Sequence, residues 1–260
     1  MRNPLLSAAL LSVATAACAA PNPQAPAPAP SPQASVPATT STATPMPTAA
    51  ANTSADPDKV IADGGIKVPG WTGRLDPRAA ASGRTLADTK FIGMGDGFHI
   101  TAGPAATYWN PANTARGNYT VQATFTQTKA STHPEGYGVF MGGTNLEAPN
   151  QSYGYFLVRQ DGKFLINHRA SDTVIHKMVD WTAHPAIKAI DASGKATNSL
   201  AIVLDTDKVS FRVNGTEVHT LPRAVADPGG PNSGTAGIAG IRVNHNLDVH
   251  ISGFAVTAAQ

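Results

Sequence analysis

The chain has 260 residues, with 19 Lys and Arg against 17 Asp and Glu and a formal net charge of +2 at pH 7. The positive charges form no run or stripe, which excludes nucleic acid as the expected partner. The single cysteine, Cys18, excludes an internal disulfide and any Cys-based metal or redox centre, so the folded part must be held by packing alone.

At the N-terminus, Arg2 precedes an apolar run from Leu5 to Ala17 that is too short to span a bilayer as a helix, and small residues surround Cys18. This is the layout of an export signal. The segment Thr15-Ala16-Ala17-Cys18 resembles a bacterial lipobox, whose cysteine becomes the acylated first residue of the mature protein. Thr15 stands where such lipoproteins favour Leu, and cleavage at an Ala-x-Ala site such as Ala17-Cys18-Ala19, with simple secretion, is the alternative. The resemblance implies lipid attachment at Cys18. It also implies a place in the bacterial cell envelope, facing periplasm or exterior, with membrane contact through the N-terminal lipid only. Residues 1–18 are thus read as the signal and residues 19–63 as a tether. From Pro21 to about Ala55 that tether contains almost only Ala, Pro, Thr, Ser, Gln and Asn, too little apolar surface to offset the entropy of ordering. Its reach lies between about 40 Å as a flexible coil and about 140 Å as extended polyproline II.

Residues 64–260 read as one strand-rich domain, with hydrophobic periodicity of two rather than 3.6. Tyr108-Trp109-Asn110-Pro111 is its densest aromatic and polar cluster, placed in a loop, where Trp109 would serve as a stacking platform for a ligand. Trp71 and Trp181 adjoin strand ends and are expected to cap the core. Tyr119, Val121, Ala123 and Phe125 alternate with Thr120, Gln122, Thr124 and Thr126, one strand with an apolar face and a hydroxyl-rich face. Further strands are expected at 138–141, 153–159, 163–169, 173–179, 199–205, 208–213, 217–221, 237–243 and 248–256, with no amphipathic helix between them.

Two dipeptides, Asp161-Gly162 and Asn214-Gly215, predict type I′ hairpin turns, since each asks two successive residues for positive φ. Around Asn214-Gly215 the register pairs Val213 with Thr216, Arg212 with Glu217 on the outside, and Phe211 with Val218, which puts Phe211 in the core. A turn at Thr206-Asp207 then aligns Leu200, Ile202, Leu204, Val209, Phe211 and Val213 on one buried face. Around Asp161-Gly162 a two-residue loop pairs Arg159 with Phe164, Leu157 with Ile166 and Tyr155 with His168. Phe156, Val158, Leu165, Asn167 and Arg169 fall on the opposite face. Aromatic and planar polar side chains suit sugars, because rings stack on C–H faces while Arg, Asn and His bond hydroxyls. Tyr155, Arg159, Asn167, His168 and Arg169, with Trp109, are therefore the candidate ligand-binding residues. Arg242-Val243-Asn244-His245-Asn246 reads as a polar turn.

The segments Asn198 to Leu204, Val209 to Gly215, Gly237 to Ile241 and Ile251 to Val256 resemble the C-terminal half of concanavalin A-like lectin/glucanase jelly rolls. The nearest likeness is to extracellular domains of the 3-keto-disaccharide hydrolase type. The resemblance covers about Phe98 to Val256. It implies an all-β fold, a two-sheet antiparallel jelly-roll sandwich, with carbohydrate as the usual partner across a concave face. It transfers no activity, since one fold hosts many functions. Retaining glucanases of this superfold carry a Glu-x-Asp-x-x-Glu strand. Here the glutamates are Glu135, Glu147 and Glu217 alone, with Glu217 explained by Arg212 and the other two isolated in loops.

The sequence therefore reads as an exported, lipid-anchored glycan-binding sandwich, expected to be a monomer. A sugar-active hydrolase with His168, Asp172 or His176 in acid/base roles is one alternative, and a structural or adhesive domain without a small ligand is another. No cofactor is expected. The eight histidines show no HxxxH or HxH pair on one element, so no metal site is predicted, and a structural calcium, common in this superfold, has no ligand set that the sequence places.

Overall fold

The computed structural model describes residues 56–259. Cys18, the signal and nearly all of the tether lie outside the described residues. Fifteen strands follow in chain order: β1 (Gly65–Ile66), β2 (Thr72–Leu75), β3 (Thr89–Met94), β4 (Gly97–Ala102), β5 (Ala106–Ala115), β6 (Tyr119–Gln127), β7 (Gly136–Thr144), β8 (Ser152–Arg159), β9 (Lys163–Arg169), β10 (Ile175–Ala183), β11 (Ala196–Leu204), β12 (Lys208–Val213), β13 (Thr216–Pro222), β14 (Gly237–Val243) and β15 (Asp248–Ala258). Two short helices, α1 (Pro77–Ala81) and α2 (Arg223–Ala226), and one 3-10 turn complete the described elements. The strands form an eight-stranded sheet in the order β1-β3-β4-β15-β6-β11-β12-β13 and a seven-stranded sheet in the order β10-β9-β8-β7-β14-β5-β2. All these pairings are antiparallel except β1 with β3. This is the two-sheet jelly-roll sandwich that the sequence implied.

The main core lies between the sheets. β6 alternates as expected: Tyr119, Val121, Ala123 and Phe125 are buried, and Thr120, Gln122, Thr124 and Thr126 point away. The Thr206-Asp207 hairpin also has the expected faces, with Leu200 opposite Val213, Ile202 opposite Phe211 and Leu204 opposite Val209. Asn214 and Gly215 both take positive φ and Arg212 faces Glu217, but the register shifts beyond them, so Phe211 pairs with His219 rather than Val218. Trp71 packs edge-on against Phe91, Phe98 and Phe254, with ring centroids 5.0–5.3 Å apart. Phe254 reaches it because the β15–β6 register skips between Ser252 and Ala255, where Gly253 adopts φ +60°. Ahead of residue 64 the chain already joins the domain, since Lys59 N donates to Asn246 Oδ1 at 2.7 Å and Asn246 Nδ2 donates to Pro57 O at 3.0 Å.

Three further expectations are corrected. Five strands precede residue 116, where no strand run was read, because these segments are short, glycine-broken or mixed in polarity. Tyr108 and Trp109 stand inside one of them, β5, rather than in a loop. The Asp161-Gly162 hairpin is offset by one residue: Arg159 pairs with Lys163, Leu157 with Leu165 and Tyr155 with Asn167. Gly162 has φ +78° while Asp161 keeps negative φ, so the loop spans residues 160–162 with the glycine in the left-handed position. Its cause is tertiary. The Gln160 side chain is buried, accepting from Gln127 Nε2 and Ser131 N at 2.9 Å and donating to Ser131 O at 2.9 Å. Those bonds hold Gln160 out of the ladder, and a one-residue shift exchanges the faces of every later side chain.

Candidate functional site

The corrected register divides the predicted ligand-binding residues between two faces of the seven-stranded sheet. Tyr155, Arg159, Asn167 and Arg169 share its outer face with Trp109, while His168 points between the sheets. Asn167 Nδ2 donates to Tyr155 Oη at 3.1 Å, and Arg169 Nε donates to Tyr153 Oη at 3.1 Å. Around them Trp109, Phe140, Leu146, Tyr153, Tyr155, Leu157 and Leu165 form a second apolar cluster, with Trp181 packed against it. Trp109, Tyr155, Asn167 and Arg169 are at most 7% exposed. Arg159 lies further out, pairing with Asp161 at 2.7 Å and stacking its guanidinium 4.4 Å from the centre of Trp181.

An ion network fixes this face. Arg242 clasps both oxygens of Asp76 at 2.7 Å and donates to Tyr153 Oη at 3.1 Å, and Arg169 comes within 3.5 Å of the same carboxylate. The Arg242 Cζ lies 5.1 Å from the centre of the Tyr155 ring. Burial alone would raise the Asp76 carboxyl, but Arg242, Arg169 and Arg74 outweigh it and hold the group below the usual carboxylate range. Such a network locks these side chains together, although Arg242 Nε and Asn167 Oδ1 are buried without a partner among the described residues. Trp109, Tyr155, Asn167 and Arg169 are thus buried in this layer, with Tyr155 and Asn167 also bordering the cavity that His168 lines.

Asp172 lies beside that layer, accepting from Arg74 at 2.9 Å and Gln151 at 2.6 Å. It is not joined to His168, whose Nε2 meets Ser152 Oγ at 2.9 Å and whose Nδ1 meets His176 Nδ1 at 3.3 Å. The acid/base set of His168, Asp172 and His176 is therefore split across the sheet. Histidine and carboxylate do meet elsewhere. His245 contacts Glu135 at 2.9 Å and Asp58 at 3.3 Å, and His99 contacts Asp248 at 3.1 Å. The hydrogen bond to Glu135 and the charges of Glu135, Asp56 and Asp58 raise the His245 pKa against an opposing effect of burial. Each pair ties distant segments together. His245 clasps residues 56–58 to the loop before β7, so Glu135 is not the isolated residue that the sequence suggested. Among the described residues no group of three or more His, Cys, Asp or Glu is arranged to hold a metal ion.

An accessible polar concavity lies on the other sheet. Between β15, β6, β11 and β12 an open trough of about 460 Å³ is lined by Thr120, Gln122, Thr124, Ser199, Arg212 and small neighbours. Its depth follows from register: Gln122 faces Ala201 on one side and Ala201 faces Arg212 beyond, while Gly253 enters where β15 skips. Small residues between long polar ones leave a hollow bordered by amide, hydroxyl and guanidinium groups. Thr124 Oγ1 and Ser199 Oγ lie 2.7 Å apart, and Thr126 Oγ1 and Thr197 Oγ1 lie 2.9 Å apart. The trough has no aromatic ring in its lining. The hydroxyl-rich alternation of β6 was its signal in the sequence. The small residues beside Gln122 come from strands 79 and 131 residues away, beyond the reach of local pattern.

No family model and no curated protein match this chain. Among solved structures, carbohydrate binding module CBM66 from Bacillus subtilis matches with a TM-score of 0.50 at 9% identity, over 77% of this chain and 100% of that one. A Bacillus subtilis protein of unknown function with a galectin-like fold gives 0.49 at 15% identity, over 72% and 89% of the two chains. A Bacteroides ovatus GH16 protein in complex with a G4G4G3G product gives 0.48 at 9%, over 73% and 96%. At such identities the first of these likenesses is one of fold.

Proposed function

We propose that this chain is an exported, lipid-anchored protein whose β-sandwich binds glycan in the trough of the eight-stranded sheet. The observation that carries the reading is the trough itself. It is open to solvent and presents Thr120, Gln122, Thr124, Ser199 and Arg212 around a hollow of about 460 Å³, with Ala201, Val203 and Gly253 between them to meet C–H faces. Hydroxyl, amide and guanidinium groups supply both donors and acceptors, which a polyhydroxylated ligand requires. The fold shared with a carbohydrate binding module supports the same reading, as does the absence of a glutamate pair for glycoside hydrolysis. Without an aromatic platform, affinity should be modest and spread over several sugar units.

Affinity electrophoresis through gels containing soluble polysaccharides tests this. Retardation by at least one polysaccharide, lost in Gln122→Ala and Arg212→Ala with unchanged melting temperature, is the expected result. A folded protein that no polysaccharide retards would leave the structural or adhesive reading instead. Retardation that survives both substitutions would remove the trough as the site.

A further inference from the structure

The trough carries a charge that the glycan reading leaves unused. Arg212 is the one ionised side chain among its lining residues, and no carboxylate joins it there. Among the described residues its one ion pair is with Glu217 at 4.0 Å, beyond hydrogen-bond distance. Glu217 lies closer to Lys208, at 3.3 Å, so this corner holds two cations against one carboxylate. The Arg212 side chain is 44% exposed. Arg242 on the other sheet shows what such a fork does when a carboxylate reaches it, donating from both terminal nitrogens to Asp76 at 2.7 Å. Arg212 offers the same donors to whatever enters the trough.

Register places this fork where a bound chain would meet it. Arg212 stands opposite Ala201, and Ala201 opposite Gln122, so guanidinium and amide flank a small residue across two strand spacings, about 10 Å. Two residues along β6, Thr124 pairs with Ser199, their hydroxyl oxygens 2.7 Å apart. None of the lining residues is aromatic. A neutral chain would therefore exchange hydrogen bonds to water for hydrogen bonds to protein, a change of small net worth. A charge-assisted fork to a carboxylate is about twice as strong as a neutral bond, and it fixes the orientation of the sugar that carries it.

We propose that the glycan of the trough is a polyuronate, with one carboxylate gripped by the Arg212 guanidinium and neighbouring hydroxyls bonded by Gln122, Thr124 and Ser199. Binding is non-covalent and leaves Glu217 with Lys208. This ligand class rests on the trough being the glycan site and adds the ligand's charge to that reading.

Isothermal titration tests it, using the full chain with Cys18→Ser so that no lipid is attached. The ligands are short oligomers of polygalacturonate, alginate and polyglucuronate, each beside its methyl ester, which keeps the sugars and removes the charge. At least one acid is expected to bind about tenfold more tightly than its ester at low salt, and the advantage should shrink as sodium chloride is raised. Arg212→Gln should erase the difference with an unchanged Tm. Arg212→Lys, which keeps the charge without the fork, should retain part of it. Esters that bind as tightly as the acids, or a difference that survives Arg212→Gln, overturn the pairing of Arg212 with a carboxylate. Binding of a neutral glucan or mannan beside either result leaves the trough standing as a glycan site. Polyglutamate bound as tightly as the best uronate overturns the proposal, since charge alone would then suffice, and dextran sulfate bound more tightly than every uronate overturns the carboxylate. A folded protein that binds no acid, ester or neutral polysaccharide overturns the glycan reading together with it.

Discussion

Asp76→Asn separates a buried structural layer from an open ligand floor. The substitution keeps the shape of the side chain and removes the only carboxylate that Arg242 and Arg169 share, at 2.7 and 3.5 Å. Both guanidiniums are nearly inaccessible, at 6% and 4% exposure of their side chains. Breaking a buried ion pair from one side costs about 3–5 kcal/mol, because the other charge stays behind without compensation. Asp76 itself is partly exposed, so water can replace some of the lost interaction and the lower end, about 3 kcal/mol, applies. For a domain of about 200 residues each kcal/mol moves Tm by about 2–4 °C, which gives a fall of about 6–12 °C. Calorimetry of parent and variant reads the shift. The double variant Asp76→Asn with Arg242→Met should recover part of it by removing the stranded charge along with its partner. A variant melting within about 2 °C of the parent would refute the reasoning. It would mean that the guanidiniums are solvated, and it would return Arg169, Asn167 and Tyr155 to the ligand-binding candidates.

Phe211→Ala should destabilise by about 3–5 kcal/mol in urea unfolding, as a core truncation, since its ring lies 5.4 Å from Phe156 and is almost fully buried. Glu217→Gln should leave the curve nearly in place, because its partners Lys208 and Arg212 are exposed at 3.3 and 4.0 Å. The His245 clasp is a pH-dependent hold on residues 56–58. Its raised pKa means that the stabilisation is complete below the ordinary value of 6.5 and is lost as pH rises through the folded value. Amide exchange of that segment, corrected for intrinsic rates, should accelerate over this interval, and His245→Gln should remove the pH dependence. Cys18→Ser should shift the protein from the membrane fraction to the soluble one and abolish lipid labelling, since acylation is its proposed anchor. Unchanged membrane association would overturn that anchor.

What the sequence determined by itself are the features whose cause is local. The two-residue alternation of β6 forces one apolar and one hydroxyl-rich face, and Asn214-Gly215 sets a turn because both residues tolerate positive φ. From these the all-β class and the burial of Phe211 follow. Tertiary structure decided whatever depends on partners far along the chain. Asp161-Gly162 carries the same local signal as Asn214-Gly215. Gln160, bonded to Gln127 and Ser131, nevertheless pulls the turn one residue over, and that shift sends His168 inward and leaves Asn167 beside Tyr155. Trp109 is buried in a strand because Leu146 and the tyrosines of β8 share its cluster, which no window around Trp109 contains. The trough likewise exists because Ala201 and Gly253 flank Gln122 from two other strands. Side-chain identity is written in the sequence, but which face it occupies is a property of register, and register is set by contacts that only the folded chain can make.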